Sequence, residues 1–124
     1  MLLLGMDWVV EFYQNSKGRE PVADFIDSLS IDAQAKILRL IDLLARYGVL
    51  LKEPYTKQIR GKLREMSIID KTGNVRILYF TYTGKRFVLL HGFIKKTGKT
   101  PVTEVDLAEK RMNDFIVQHG GKHL

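Results

Sequence analysis

The sequence predicts an α+β fold: an N-terminal strand, a helical hairpin, a three-stranded antiparallel meander and a C-terminal helix. Three observations carry this prediction. Apolar residues recur at helical spacing between residues 22 and 47. Runs rich in β-branched and aromatic residues fill 62–95 with only short turns between them, and a second helical stripe closes the chain. With 124 residues and 45% apolar content, the chain can build its own core, so residues 1–124 read as one domain.

Each element has a local reason. Asp7–Tyr13 has the β-branched and aromatic content of a strand, and Gln14–Arg19 is a polar turn with Gly18. Pro21 suits the first turn of a helix, where a missing N–H costs nothing, and Val22, Phe25, Ile26 and Leu29 mark its buried face. Ser30 is placed to cap a second helix with Asp32 in its first turn. The apolar set Ile37, Leu38, Ile41, Leu44 and Ala45 continues that helix to Tyr47, where Gly48 offers a left-handed stop.

Val49–Thr56, with Pro54, reads as a connection to the meander. Its strands are Lys62–Ile69, Val75–Tyr82 and Arg86–Lys95, joined by turns at 70–74 and 83–85. The continuous run Phe87–Leu90 predicts a central strand covered on both faces. Elsewhere one sheet face packs on helices and the other is free to meet water. Arg76, which alternates with Leu78, Phe80 and Tyr82, belongs on that open face or at the rim of the core. Thr103 starts the last helix with Asp106 three residues on, and Val105, Ala108, Met112 and Phe115 form its stripe. Residues 1–5 read as a start-site extension ahead of Met6, and 119–124 as a frayed tail.

Charge narrows the function. Residues 57–102 hold eleven Lys or Arg against two acidic residues, a net of +9, while 1–56 carry −2 and 103–124 carry −1. The positive excess is therefore concentrated on the predicted sheet and its loops, as expected for an anion-binding face and above all for nucleic acid. With no cysteine, disulfides, thiolate-bound zinc and thiol nucleophiles are excluded, which fits a reducing cytoplasm. The opening MLLLGM is too short for a membrane span and lacks the parts of a signal peptide. No HExxH, GxxxxGK[ST] or GxSxG motif occurs. Asp24, Asp27 and Asp32 are expected on helix surfaces, so the carboxylates of a two-metal nuclease do not converge on the basic face.

Several runs in this order resemble one family. They are Phe12-Tyr13, Gly18, Pro21-Val22, Phe25–Leu29, Gly61–Met66, Asn74–Tyr79, Leu89–Pro101 and Ala108–Arg111, of which His-Gly-Phe-Ile-Lys-Lys-Thr-Gly-Lys-Thr-Pro at 91–101 is the most specific. From Met6 onward the chain resembles the HigB-like, phage-derived branch of the RelE/ParE toxin superfamily. The resemblance implies a RelE-like fold and a small toxin paired with a helix-turn-helix antitoxin. It also implies cleavage of mRNA, often on the ribosome, or, on the ParE side, poisoning of DNA gyrase. One departure is plain. The family usually has Arg two residues after the strand Glu, and here Glu65-Met66-Ser67 puts Ser67 there, with Arg64 or Arg60 as the nearest alternative cations.

The chemistry asked of such a site is specific. RNA supplies its own nucleophile, the 2′-OH, so cleavage needs that hydroxyl deprotonated, the phosphate charge stabilised and the 5′-oxygen protonated, with no metal or other cofactor. Arg76 is the expected phosphate holder because a guanidinium grips two oxygens and stays charged. Lys95 and Lys96 are candidates for charge stabilisation and, if a pKa falls, for proton transfer. Glu65 and His91 are alternative bases. Lys57, Arg60, Arg64 and Lys99 would position RNA backbone, and Phe93 beside Lys95 would offer a stacking surface. Core packing for Phe93, a satisfied structural role for His91 and plain solvation for the surface cations are the competing readings. For the chain as a whole, a non-catalytic binding protein on the same scaffold competes with the nuclease.

Overall fold

The computed structural model describes residues 2–4, 8–51, 54–83, 85–96 and 98–120. Its strands are β1 (Leu2–Leu4), β2 (Val9–Phe12), β3 (Thr56–Arg60), β4 (Leu63–Asp70), β5 (Gly73–Tyr82) and β6 (Arg86–Lys95). The helices are α1 (Pro21–Asp27), α2 (Ile31–Tyr47) and α3 (Val102–Gln118). Six strands form one sheet in the order β1-β2-β6-β5-β4-β3. The α+β reading holds, and β6 is central as its apolar run required. Beside it β2 runs parallel, and α1 and α2 carry the chain from β2 to β3 at the far edge of the sheet.

The meander has four strands, not three. Thr56–Arg60, where the sequence predicts the end of a connection and no strand, folds back on β4 across the tight turn at Gly61-Lys62. Its polar residues hid it, because Lys57 and Gln58 face water while Thr56 is buried.

Local signals explain the helices. Pro21 starts α1, the Ser30 hydroxyl accepts the Ala33 N–H at 3.1 Å, and α2 ends at Gly48 with φ +58°. A Cβ at Gly48 would also stand 2.1 Å from Trp8 Nε1, so strand and helix can approach only at glycine. Along α2, Leu38 is 43% exposed and Leu40 is buried in its place. No side chain caps α3. Pro101 occupies the N-cap, and Asp106, expected in a capping pattern with Thr103, is tied to Arg60 instead. At its far end, His119, read as the start of a frayed tail, stacks on Phe115 at 3.9 Å; residues 121–124 lie outside the described residues.

The expectation of an open sheet face fails for the central strands. Val75, Ile77, Tyr79, Phe87 and Leu89 pack under α1 and α2, while Leu63, Leu78, Phe80, Val88 and Leu90 pack under Val105, Ala108, Phe115 and Ile116 of α3. Each fully buried Leu, Val or Phe contributes about 1.5–3 kcal/mol, so covering both faces outweighs leaving one in water. Arg76 therefore sits at the rim, beyond the edge of the α3 layer.

A bulge decides what that rim contains. Leu78 pairs with His91 but Tyr79 pairs with Leu89, so Leu90 is an extra residue in β6. Leu90 and His91 consequently lie on the same α3 side, and the following alternation carries Phe93 and Lys95 there too. Gly92 turns to the other face, where a Cβ would meet the Phe25 ring at 2.2 Å.

Candidate functional site

The site lies on the α3 side, where β6 ends, β5 begins and α3 starts. Register sets its rows: Lys57 faces Glu65 across β3–β4, Ser67 faces Arg76 across β4–β5, and Arg76 and Asn74 face Phe93 and Lys95 across β5–β6.

Glu65 is its anchor. The side chain is 1% exposed, with Oε1 accepting from Arg76 Nη1 at 2.8 Å and Oε2 accepting from the Thr100 hydroxyl at 2.7 Å. One carboxylate thus fixes both the β5 guanidinium and the basic loop that carries Lys96 and Lys99. With both oxygens engaged, Glu65 positions its neighbours and is poorly placed as a free base. Arg76 is held on one edge only. Its Nε is buried and has no hydrogen-bond partner among the described residues, while the side chain keeps 15% of its surface exposed at the rim.

Lys95 is 5% exposed, an unusual state for an ammonium. Burial, then the Arg76 charge, hold its pKa below the ordinary lysine value; Lys57 adds to this and Glu65 opposes it. Lys96, Lys99 and Lys57 are exposed around this centre. Arg76, Lys95, Glu65 and Lys57 are therefore brought together, with Lys96 and Lys99 on the adjoining strand end and loop.

Other expected residues are placed elsewhere. Phe93 is 7% exposed and belongs to the core under α3, so it offers no open stacking face. His91 stacks on it at 5.5 Å and is bridged on both nitrogens, Nε2 to Glu104 Oε1 at 2.6 Å and Nδ1 to Arg111 Nη1 at 3.2 Å. A guanidinium only donates, so Nδ1 accepts and Nε2 carries the hydrogen toward Glu104. His91 is a satisfied structural histidine in this state, not a poised base. Arg60 binds Asp106 at 2.8 Å and Glu109 at 3.3 Å, fastening β3 to α3. Arg64 points to the opposite sheet face, donating to the Thr56 hydroxyl at 2.9 Å. Neither stands in for an Arg at position 67.

Thr100, Glu104 and Arg111 were missed by residue-type reasoning. Thr100 was visible only as part of the Lys-Lys-Thr-Gly-Lys-Thr-Pro run and Arg111 only as part of the Ala108–Arg111 run, and nothing local marks Glu104. Among the described residues no three His, Asp or Glu side chains gather as metal ligands, and no helix is long and apolar enough to cross a membrane.

Residues 24–113, well over half of the chain and including this whole site, match the family model described as phage derived protein Gp49-like. Among curated proteins, none matches the chain.

Proposed function

The chain belongs to the phage-derived Gp49-like family, a RelE-like family of toxin–antitoxin type, and from that premise we propose that it is a HigB-like toxin that cleaves mRNA without a metal. The observation that carries this reading is the partly exposed Arg76 guanidinium, braced by Glu65, beside the buried Lys95. A guanidinium already braced by Glu65 meets a phosphate oxygen through the part of its side chain left exposed, and its bracing removes much of the ordering cost of binding.

In this reading Arg76 holds the scissile phosphate and stabilises the charge that grows on it. The 2′-OH attacks phosphorus, its proton passes to a base, and the leaving 5′-oxygen takes up a proton. Lys95, whose lowered pKa favours the neutral amine, accepts the 2′-OH proton, and the Lys96 ammonium gives a proton to the 5′-oxygen as its bond to phosphorus breaks. Lys57 and Lys99 hold flanking backbone. Glu65 acts through Arg76 and Thr100 as a positioning residue. The partners are a helix-turn-helix antitoxin and, with the message, the ribosome; the place of action is the cytoplasm.

One observation favours a second reading. Ser67 faces Arg76 where the resembled family has Arg, so the phosphate site has one guanidinium fewer. A non-catalytic binding protein, or a gyrase inhibitor, on the same scaffold accommodates that loss.

Mapping of 5′ ends by primer extension on cellular mRNA, shortly after induction, tests the proposal. Wild-type protein is expected to create new ends within translated frames, and Arg76→Ala, verified as folded by circular dichroism, is expected to create none. Intact message under wild-type induction would overturn the nuclease reading, with growth arrest then pointing to gyrase or another target.

A further inference from the structure

We propose that the cleft between the β2–α1 loop and α3 is a second RNA subsite, taking a nucleotide several positions along the strand from the one whose phosphate Arg76 holds; this rests on the RNA-cleaving reading above. The cleft has a volume of about 500 Å³ and is lined by Tyr13, Asn15, Ser16, Leu107, Lys110 and Arg111. That volume lies within the range of small-ligand sites.

Its chemistry suits a nucleotide. Leu107 gives an apolar wall for a base, while Lys110 and Arg111 supply charge for a phosphate. The Asn15 carbonyl oxygen already accepts the Lys17 and Arg19 N–H groups, which leaves its amide nitrogen to donate; the exposed Ser16 hydroxyl lies beside it. Asp114, the carboxylate of the cleft, accepts from the Tyr13 hydroxyl and from Gln118 Nε2, so its charge is partly satisfied within the protein.

Beneath the surface, packed side chains link the cleft to the first site. Arg111 lies 3.2 Å from His91 Nδ1, His91 stacks on Phe93, and Phe93 stands opposite Arg76. The His91 network thereby acquires a role: it fixes Arg111 in the lining of the cleft. Without the β6 bulge at Leu90, His91 would face α1 and this link would be broken.

The test is fluorescence anisotropy with 2′-O-methyl RNA, whose nucleophile is blocked, as a dinucleotide and a hexanucleotide over a range of salt. Arg76→Ala is expected to weaken both. Lys110→Glu is expected to weaken only the hexanucleotide, about tenfold, and to reduce its salt slope by about 0.7. Ser16→Trp, which fills the cleft without changing charge, is expected to weaken the hexanucleotide and leave the slope unaltered. Arg39→Glu makes the same charge change on α2, across the sheet, and is expected to stay within about twofold of wild type. Equal losses on both oligonucleotides for Lys110→Glu, or unchanged hexanucleotide binding by Ser16→Trp, would overturn the subsite. If Arg76→Ala alone weakens binding, the subsite fails and the first site stands. Wild-type protein that binds neither oligonucleotide overturns both.

Discussion

Replacing Glu65 by Ala should destabilise the fold by about 3 kcal/mol. Removing one member of a buried ion pair costs about 3–5 kcal/mol because the other charge is left without compensation. Glu65 is 1% and the Arg76 side chain 15% exposed, so the orphaned guanidinium keeps slight access to water and the lower end of that range applies. After the change Arg76 Nη1 loses its acceptor, Nε still has none, and the nearest charges include Lys95; Thr100 also loses its acceptor. Glu65→Gln keeps a carbonyl acceptor and should cost about 1–2 kcal/mol. Urea unfolding followed by Trp8, the single tryptophan, which stacks on Phe87 at 4.7 Å, reads both losses. For a chain of this size a 3 kcal/mol loss moves the midpoint by about 1–2 M. Adding Arg76→Met to Glu65→Ala should restore about 1–2 kcal/mol by removing the stranded charge. A Glu65→Ala protein within about 0.5 kcal/mol of wild type, or a double variant less stable than Glu65→Ala, would refute the anchoring argument.

The pKa of Lys95 is lowered in the folded chain, chiefly by burial and then by the Arg76 charge. Between its folded value and the ordinary 10.5, the unfolded chain binds more protons, so stability rises with pH in that window. Lys95→Met should therefore be more stable than wild type at neutral pH, with the margin narrowing as pH approaches 10.5 in paired urea titrations. Gly92→Ala drives a methyl into the Phe25 ring and should cost about 1–3 kcal/mol, part of it recovered on a Phe25→Leu background, in the same unfolding assay. Ser67→Arg sets a second guanidinium across from Arg76 and should raise RNA affinity about tenfold, seen by anisotropy as a steeper salt dependence; unchanged affinity would mean that position 67 does not face the phosphate.

The sequence by itself determined the elements whose signals are local. Ser30 and Gly48 delimit α2 because capping and left-handed backbone depend only on neighbouring atoms. The apolar run of β6 dictates its central place, the stripe on α3 dictates burial against the sheet, and the concentration of charge in 57–102 marks the basic face. What tertiary structure decided depends on pairing across long separations. The polar strand β3 exists only because β4 pairs with it, and the second helical layer turns the expected open face into core, pushing Arg76 to the rim. A single extra residue at Leu90 reverses the alternation of β6, which no periodicity count reveals. For the same reason charge alone could not separate working cations from structural ones. Arg60 and Arg64 are consumed by α3 and Thr56, whereas Arg76 is braced by Glu65 with part of its side chain exposed and Lys95 is buried, and only the fold sets those partners.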